Sequence, residues 1–165
     1  MLRSITYQQL NGKAAATILG RVLAQFPKNK PLTPKNLLAM PDAPMRGAGL
    51  SANKLLAMRD LAQKALDGVV PTRAQAENLS DEVLIERLTE VRGIGRWTVQ
   101  MFLMFYLGRP DVMPSDDFGI RKGFGLLYRK TARLPPPSAV AGHARLWAPY
   151  RSAASWYLWR SLDIK

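Results

Sequence analysis

The sequence predicts an all-α fold, and three observations carry that expectation. Strand signals are scarce, with no alternating β-branched run and no Asn-Gly hairpin between apolar alternations. Apolar residues recur at helical spacing along most of the chain. Ser and Thr before the periodic stretches, and Gly and Pro after them, punctuate the chain at short intervals. At 165 residues, 47% apolar and 22% charged, the chain is one ordinary globular domain, or two small lobes sharing a groove.

Each element follows from its own signals, and together they give about eight short helices. Residues 12–26 place Ile18, Leu19, Val22, Leu23 and Phe26 on one face. Thr33 before Pro34 is a cap followed by a first-turn proline, opening a helix to about Met40. Two prolines and two glycines make 41–50 a loop. Ser51 caps a helix carrying Leu55, Leu56, Met58, Leu61, Ala62 and Leu66, which Gly68 and Pro71 stop. Ser80, followed by Asp81 and Glu82, starts another with Val83, Leu84, Ile85 and Leu88 behind it. After Gly93-Ile94-Gly95, residues 96–107 form a strongly apolar helix that Gly108 ends. Ser115 caps a helix to about Lys130, and Leu134-Pro135-Pro136-Pro137 is a stiff connector. Ser138 opens a helix to Trp147, and Pro149 starts the final one.

Composition excludes several chemistries. With no cysteine there are no disulfides, thiolate zinc sites, iron–sulfur clusters or thiol nucleophiles. His143 is the single histidine, which excludes a multi-histidine metal site and argues against a Ser-His triad. No apolar run approaches 18 residues and no apolar signal core opens the chain, so neither a membrane partner nor secretion is expected. Lys and Arg number 24 against 12 Asp and Glu, for a net charge of +12. Such a surplus is the footprint of a polyanion, most often nucleic acid; the plainer alternative is a basic protein with no specific anion.

The most informative stretch is Leu88-Thr89-Glu90-Val91-Arg92-Gly93-Ile94-Gly95-Arg96-Trp97-Thr98. Two glycines flank one apolar residue between two helices, so positive φ and a tight reversal are open to the chain. Backbone N–H groups at the start of the next helix, with the positive end of its dipole, suit a phosphate. Arg92 and Arg96 would support that grip, which is independent of base sequence. The alternative is an ordinary glycine turn between helices.

This stretch resembles the hairpin of the helix-hairpin-helix/Gly-Pro-Asp DNA glycosylase superfamily. The family's second mark, a proline turn followed by an aspartate opening a helix, is matched by Pro114-Ser115-Asp116-Asp117-Phe118-Gly119-Ile120-Arg121. Gly95 and Asp117 stand 22 positions apart, the interval the family requires. The chain is most similar to the alkylpurine branch, the 3-methyladenine DNA glycosylase II type. The matching segments are Arg3–Leu10, Gly49-Leu50-Ser51 with Lys54, Gly93–Thr98, Asp116-Asp117, and Trp147–Ser152 with Trp159. The resemblance spans nearly the whole chain and implies a single domain over 1–165, its hairpin at about 80–107, two-lobed with a groove between lobes. The family's domain usually carries helical sequence before the Arg3–Leu10 segment, and the expectation is a trimmed start or a minimal member. The N-terminal β-domain of some relatives and the cysteine cluster of the endonuclease III branch are absent from the sequence.

The resemblance further implies base excision repair by a monofunctional glycosylase that hydrolyses the N-glycosidic bond of alkylated purines such as 3-methyladenine. Asp117 takes the role of the carboxylate that stabilises positive charge on the sugar. For an isolated Asp-Asp after Ser the plainer reading is helix capping, and Asp116 keeps that structural role. A flipped, cationic base needs π-faces. Trp97, Met101, Trp159 and Tyr7 are the candidate pocket, while Trp147 and Trp156 are assigned to the core. Gln8, Gln9 and Leu10 are candidates for the wedge that fills the hole, with a polar helix end as the alternative. Arg92, Gly93, Gly95, Arg96 and Thr98 are the backbone-binding set. The carbonyls of Thr89, Val91 and Ile94 could hold a structural monovalent cation, as hairpins of this type can; no other cofactor is expected. Lys13, Arg121, Lys122, Arg129, Lys130 and Arg151 are candidate groove charges. Bifunctional relatives carry a Schiff-base lysine at the position of Trp97, so no lyase activity is expected.

The expected partner is double-stranded DNA containing damaged bases, bound by a monomer. The location would be cytoplasmic at the nucleoid in a bacterium and nuclear in a eukaryote. The competing reading is a non-catalytic helix-hairpin-helix DNA-binding module, against which Asp117 at the family spacing argues.

Overall fold

The computed structural model describes residues 1–129 and 133–164, and those residues contain helices and turns but no strand. The chain divides into two compact units, Met1–Arg96 and Trp97–Lys165.

The first unit is built from α1 (Leu2–Tyr7), α2 (Gly12–Ala24), α3 (Pro34–Ala39), α4 (Asp42–Gly47), α5 (Ala52–Leu66), α6 (Arg73–Glu77) and α7 (Asp81–Thr89). Caps set most of its helix starts. The side chains of Asn11, Thr33, Ser51, Thr72 and Ser80 each accept a backbone N–H from the first turn they precede. At Thr72 the cap is reciprocal, because Gln75 Oε1 accepts from the Thr72 N–H at 2.9 Å. The central helix α5 packs against α1, α3 and α4, burying Leu55, Met58, Leu61 and Ala62.

Two features of this unit depart from the sequence expectations. Residues 41–50 are not a plain loop: Asp42–Gly47 is a turn and a half of helix with Met45 fully buried. Pro41 and Pro44 fall at its N-cap and third residue, where a proline's missing N–H costs nothing. On α2 the apolar stripe is narrower than its sequence suggests. Val22 is buried, but Leu23 is 44% exposed. The short α1 and α6 have too few apolar positions for a periodic signal.

The second unit holds α8 (Arg96–Phe105, whose first residue closes the first unit), α9 (Phe118–Phe124), α10 (Pro137–His143) and α11 (Arg151–Arg160). Its core is Ile120, Phe124, Val140 and Leu158, with Met113, Trp147 and Trp159 packed against it. Phe124 is fully buried, so truncating it to alanine would cost about 3–5 kcal/mol. Backbone approach between α9 and α11 is very close: a Cβ on Gly123 would lie 2.3 Å from the Leu158 carbonyl oxygen. Only glycine fits there.

Here too the structure corrects particulars. Asp117, not Ser115, caps α9. That helix stops at Phe124 and passes into a single π-turn, Gly125–Arg129, rather than running on to Lys130, which itself lies outside the described residues. The expected helix from Ser138 to Trp147 starts at Pro137 and tightens into a 3₁₀ turn at Ala144–Trp147. The final helix begins at Arg151, beyond Pro149. Trp147 belongs to the core as expected, but Trp156 is 48% exposed.

Candidate active site and hairpin

Asp117 does two things at once. Its Oδ1 accepts the Ile120 N–H at 2.8 Å, closing the first turn of α9. The same oxygen accepts the indole Nε1–H of Trp159 at 2.8 Å. Its Oδ2 accepts the indole Nε1–H of Trp97, also at 2.8 Å. Helix capping and the seating of two indoles therefore share one carboxylate. Three donors on α8, α9 and α11 set its position and plane. Oδ2, with a single donor and half-exposed Trp97 beside it, keeps acceptor capacity for something outside the protein. Asp116 is exposed and sits one residue before the cap, so the capping role expected of it belongs to Asp117.

The tryptophans are thus hydrogen-bond donors as well as candidate base-stacking faces. Trp97 is 51% exposed on the first turn of α8. Trp159 is half-buried, its ring centroid 6.2 Å from that of Phe105. Met101, one turn beyond Trp97, is half-buried. Tyr7, in the first unit, is half-buried with the Arg3 guanidinium 4.7 Å from its ring centroid, so a cation already covers one of its faces.

The hairpin is held to its own unit by side chains that no motif in the sequence advertises. Asp60 Oδ2 accepts the Arg92 N–H at 2.7 Å, and Lys64, paired with Asp60 at 3.5 Å, donates to the Glu90 carbonyl. Gln8 Nε2 donates to the Gly93 carbonyl at 2.7 Å. The turn closes on itself through the Ile94 N–H to the Val91 carbonyl at 3.0 Å. Gly93 has φ +75°, the left-handed region that favours glycine. Gly95 does not: its backbone is ordinary, and a Cβ there would meet nothing within 4 Å. The two glycines of the motif therefore serve different ends.

Beyond the turn, the first N–H groups of α8 have no acceptor within their own helix. Arg92, Gly93, Gly95 and Arg96 are all exposed. Thr98 is buried, 8% exposed, which sets it apart from the exposed members of the set. Of the three carbonyls considered for a cation, that of Val91 already accepts from Ile94. Among the described residues no group of three His, Asp or Glu side chains could hold a metal ion.

The wedge candidates separate clearly. Lys54 Nζ donates to the carbonyls of Thr6 and Gln8 at 2.8 and 2.7 Å, tying down the end of α1; burial pushes its ammonium below the usual lysine range. The Gln8 side chain is committed to the hairpin. Gln9 has φ +57° and is exposed, and Leu10 is 38% exposed. Left-handed backbone at a non-glycine residue is a strained feature of the kind found at functional loops. Among the candidate groove charges, Lys13, Lys122 and Arg129 are exposed, Arg121 donates to the Pro135 carbonyl at 2.8 Å, and Arg151 is engaged bidentately by Asp111.

Residues 2–149 match the family described as HhH-GPD superfamily base excision DNA repair protein. The chain is 42% identical over 169 residues to DNA-3-methyladenine glycosylase 1 of Schizosaccharomyces pombe, covering 99% of this chain and 72% of that one. Among solved structures it is similar to the Schizosaccharomyces pombe 3-methyladenine DNA glycosylase in complex with abasic DNA. That match has a TM-score of 0.80 at 43% identity, over 96% of this chain and 77% of the other. A DNA-3-methyladenine glycosidase from Bacillus halodurans matches with a TM-score of 0.85 at 34% identity, over 97% and 72%.

Proposed function

We propose, from the premise that this chain belongs to the HhH-GPD superfamily of base excision DNA repair proteins, that it is a DNA glycosylase hydrolysing the N-glycosidic bond of alkylated purines such as 3-methyladenine. The observation that carries the chemistry is the carboxylate of Asp117, oriented by two indoles and a helix N-terminus. A base alkylated on a ring nitrogen is cationic. When the bond from C1′ to nitrogen breaks, the electron pair leaves with the base, which becomes neutral, and positive charge develops on the sugar. A fixed carboxylate beside that sugar stabilises the charge. Water then adds to C1′ and gives up a proton. No electron is transferred, so the reaction needs no redox group.

The remaining parts follow the same logic. The hairpin and the first turn of α8 grip phosphate of double-stranded DNA, with Arg92 and Arg96 adding charge. A monovalent cation at the carbonyls of Thr89 and Ile94, alongside Val91, would supplement that grip. Trp97, Met101 and Trp159 offer apolar and π surface to a flipped cationic base. Gln9 and Leu10 are the wedge, with Gln8 holding their turn against the hairpin. The protein works as a monomer, and with tryptophan at position 97 it leaves the abasic strand uncut. The test is chromatographic detection of free methylated purines from methylated duplex DNA. Release of 3-methyladenine is expected, with the strand intact until alkali is added. No release at any enzyme concentration that saturates the duplex would favour the binding-module reading.

A further inference from the structure

Gly119, the second residue of α9, has backbone outside the left-handed region, so conformation does not call for glycine there. Space does. A Cβ on Gly119 would lie 2.8 Å from Trp159 Cδ1, 3.1 Å from Trp159 Nε1 and 3.2 Å from Asp117 Oδ1. These are the atoms of the Trp159–Asp117 hydrogen bond and the carbon beside it. We infer that Gly119 is a positioning residue: its missing side chain is the slot in which the Trp159 indole edge reaches Asp117.

The strain of filling that slot has one easy outlet. Gly123 stands one turn beyond Gly119 on the same face of α9, and its Cα already lies against the Leu158 carbonyl. Leu158 precedes Trp159 and shares a buried core with Ile120 and Phe124 of α9, so moving the two helices apart would open that core. The Ile120 N–H holds Asp117 Oδ1 at the cap, and Trp97 holds Oδ2. The Trp159 side chain, only half-buried, is the part that gives, and when it turns its hydrogen bond is lost. Glycine at 119 thus acts on the carboxylate through Trp159. Its effect on rate rests on Asp117 being the catalytic carboxylate, whereas the seating of Trp159 does not.

The experiment uses the whole chain labelled with ¹⁵N. The four indole N–H resonances are assigned by single Trp→Phe variants. In Gly119→Ala the Trp159 resonance is expected to move upfield and exchange faster with solvent, while those of Trp147 and Trp156 stay in place. Single-turnover base release is expected to fall at least tenfold with duplex affinity unchanged. In a Trp159→Ala background, where the indole is gone and only the 3.2 Å approach to Asp117 Oδ1 remains, Gly119→Ala should cost far less in rate and melting temperature than it does alone. That background also keeps the test alive should Gly119→Ala fold poorly alone. An unmoved Trp159 resonance, or rate penalties that multiply in the double variant, would overturn the inference. If the resonance moves but even the unmutated protein releases no base, the proposed function fails and the seating of Trp159 stands.

Discussion

The two hairpin glycines offer a sharp differential test. Gly93 has φ +75°, and a Cβ there would meet only the Ala57 Cβ at 3.7 Å, an ordinary contact. Gly93→Ala therefore costs conformational energy and nothing steric, about 1–2 kcal/mol for an L-residue held left-handed. The backbone cannot easily relax, because flipping it would release the Gln8 bond to the Gly93 carbonyl and disturb the Arg92 bond to Asp60. The first is worth about 1 kcal/mol and the second, to a carboxylate, about 1.5–3 kcal/mol. In a chain this size the strain lowers the melting temperature by roughly 2–8 °C. Gly95→Ala meets no atom within 4 Å and has no special φ. Its cost is that of a poorer residue at the entrance to α8, under about 1 kcal/mol. What it obstructs is the approach of a phosphate, and undamaged-duplex affinity should fall about tenfold, roughly 1.4 kcal/mol. The assays are calorimetric melting and fluorescence titration at fixed salt. Gly93→Ala melting with the unmutated protein, or Gly95→Ala binding as tightly as it, would be incompatible with these separate roles for the two glycines.

Other perturbations probe other parts. The Arg151 guanidinium beside Asp111 holds its carboxyl below the usual carboxylate range. A depressed folded value means stability that is full above the unfolded carboxylate range and lost as pH falls through the lower folded value. Asp111→Asn should lower stability at neutral pH by about 1–2 kcal/mol, a figure discounted because the pair is partly exposed. It should also flatten the acid limb in melts taken from pH 6 downward; a parallel acid limb would contradict it. Duplex binding should weaken steeply with salt, log affinity falling by about 0.9 per log unit for each phosphate neutralised. A salt-independent affinity would remove the phosphate-led interface. Borohydride trapping on lesion-containing duplex should give no covalent adduct, and an adduct would show that a lysine elsewhere supplies lyase chemistry.

Much of this was legible in the sequence because it depends on local signals. Thr33, Ser51 and Ser80 announce their helices by capping chemistry, and Gly93 announces a tight reversal. The identity of Asp117 came from spacing and resemblance, but not its geometry. That Asp117 rather than Ser115 or Asp116 caps α9 depends on the direction in which Pro114 turns the chain, which local sequence does not state. The hydrogen bonds of Trp97 and Trp159 join residues 20 and 42 positions from Asp117. Asp60, Lys64 and Gln8 brace the hairpin from 32, 26 and 85 positions away. An aspartate and a lysine at i, i+4 on α5 read as a solvated pair until the fold brings the hairpin to them. Gly119 was invisible for the opposite reason: its contribution is a volume left empty, which no side-chain pattern records.

The chemistry proposed for this protein rests on the carboxylate of Asp117 stabilising charge on the sugar. Single-turnover release of 3-methyladenine by Asp117→Asn, measured beside duplex affinity, tests it most directly. Asparagine can keep one oxygen at the Ile120 cap, while its amide nitrogen turns a donor toward the Trp97 indole; the fold survives and the charge is gone. A unit charge about 4 Å from the sugar at an effective dielectric near 20 is worth about 4 kcal/mol, so the rate should fall by roughly a thousandfold. Affinity for undamaged duplex should stay within about twofold, because the hairpin's phosphate grip is untouched. Base release within about tenfold of the unmutated protein, with binding intact, would show that the Asp117 charge does not carry the chemistry.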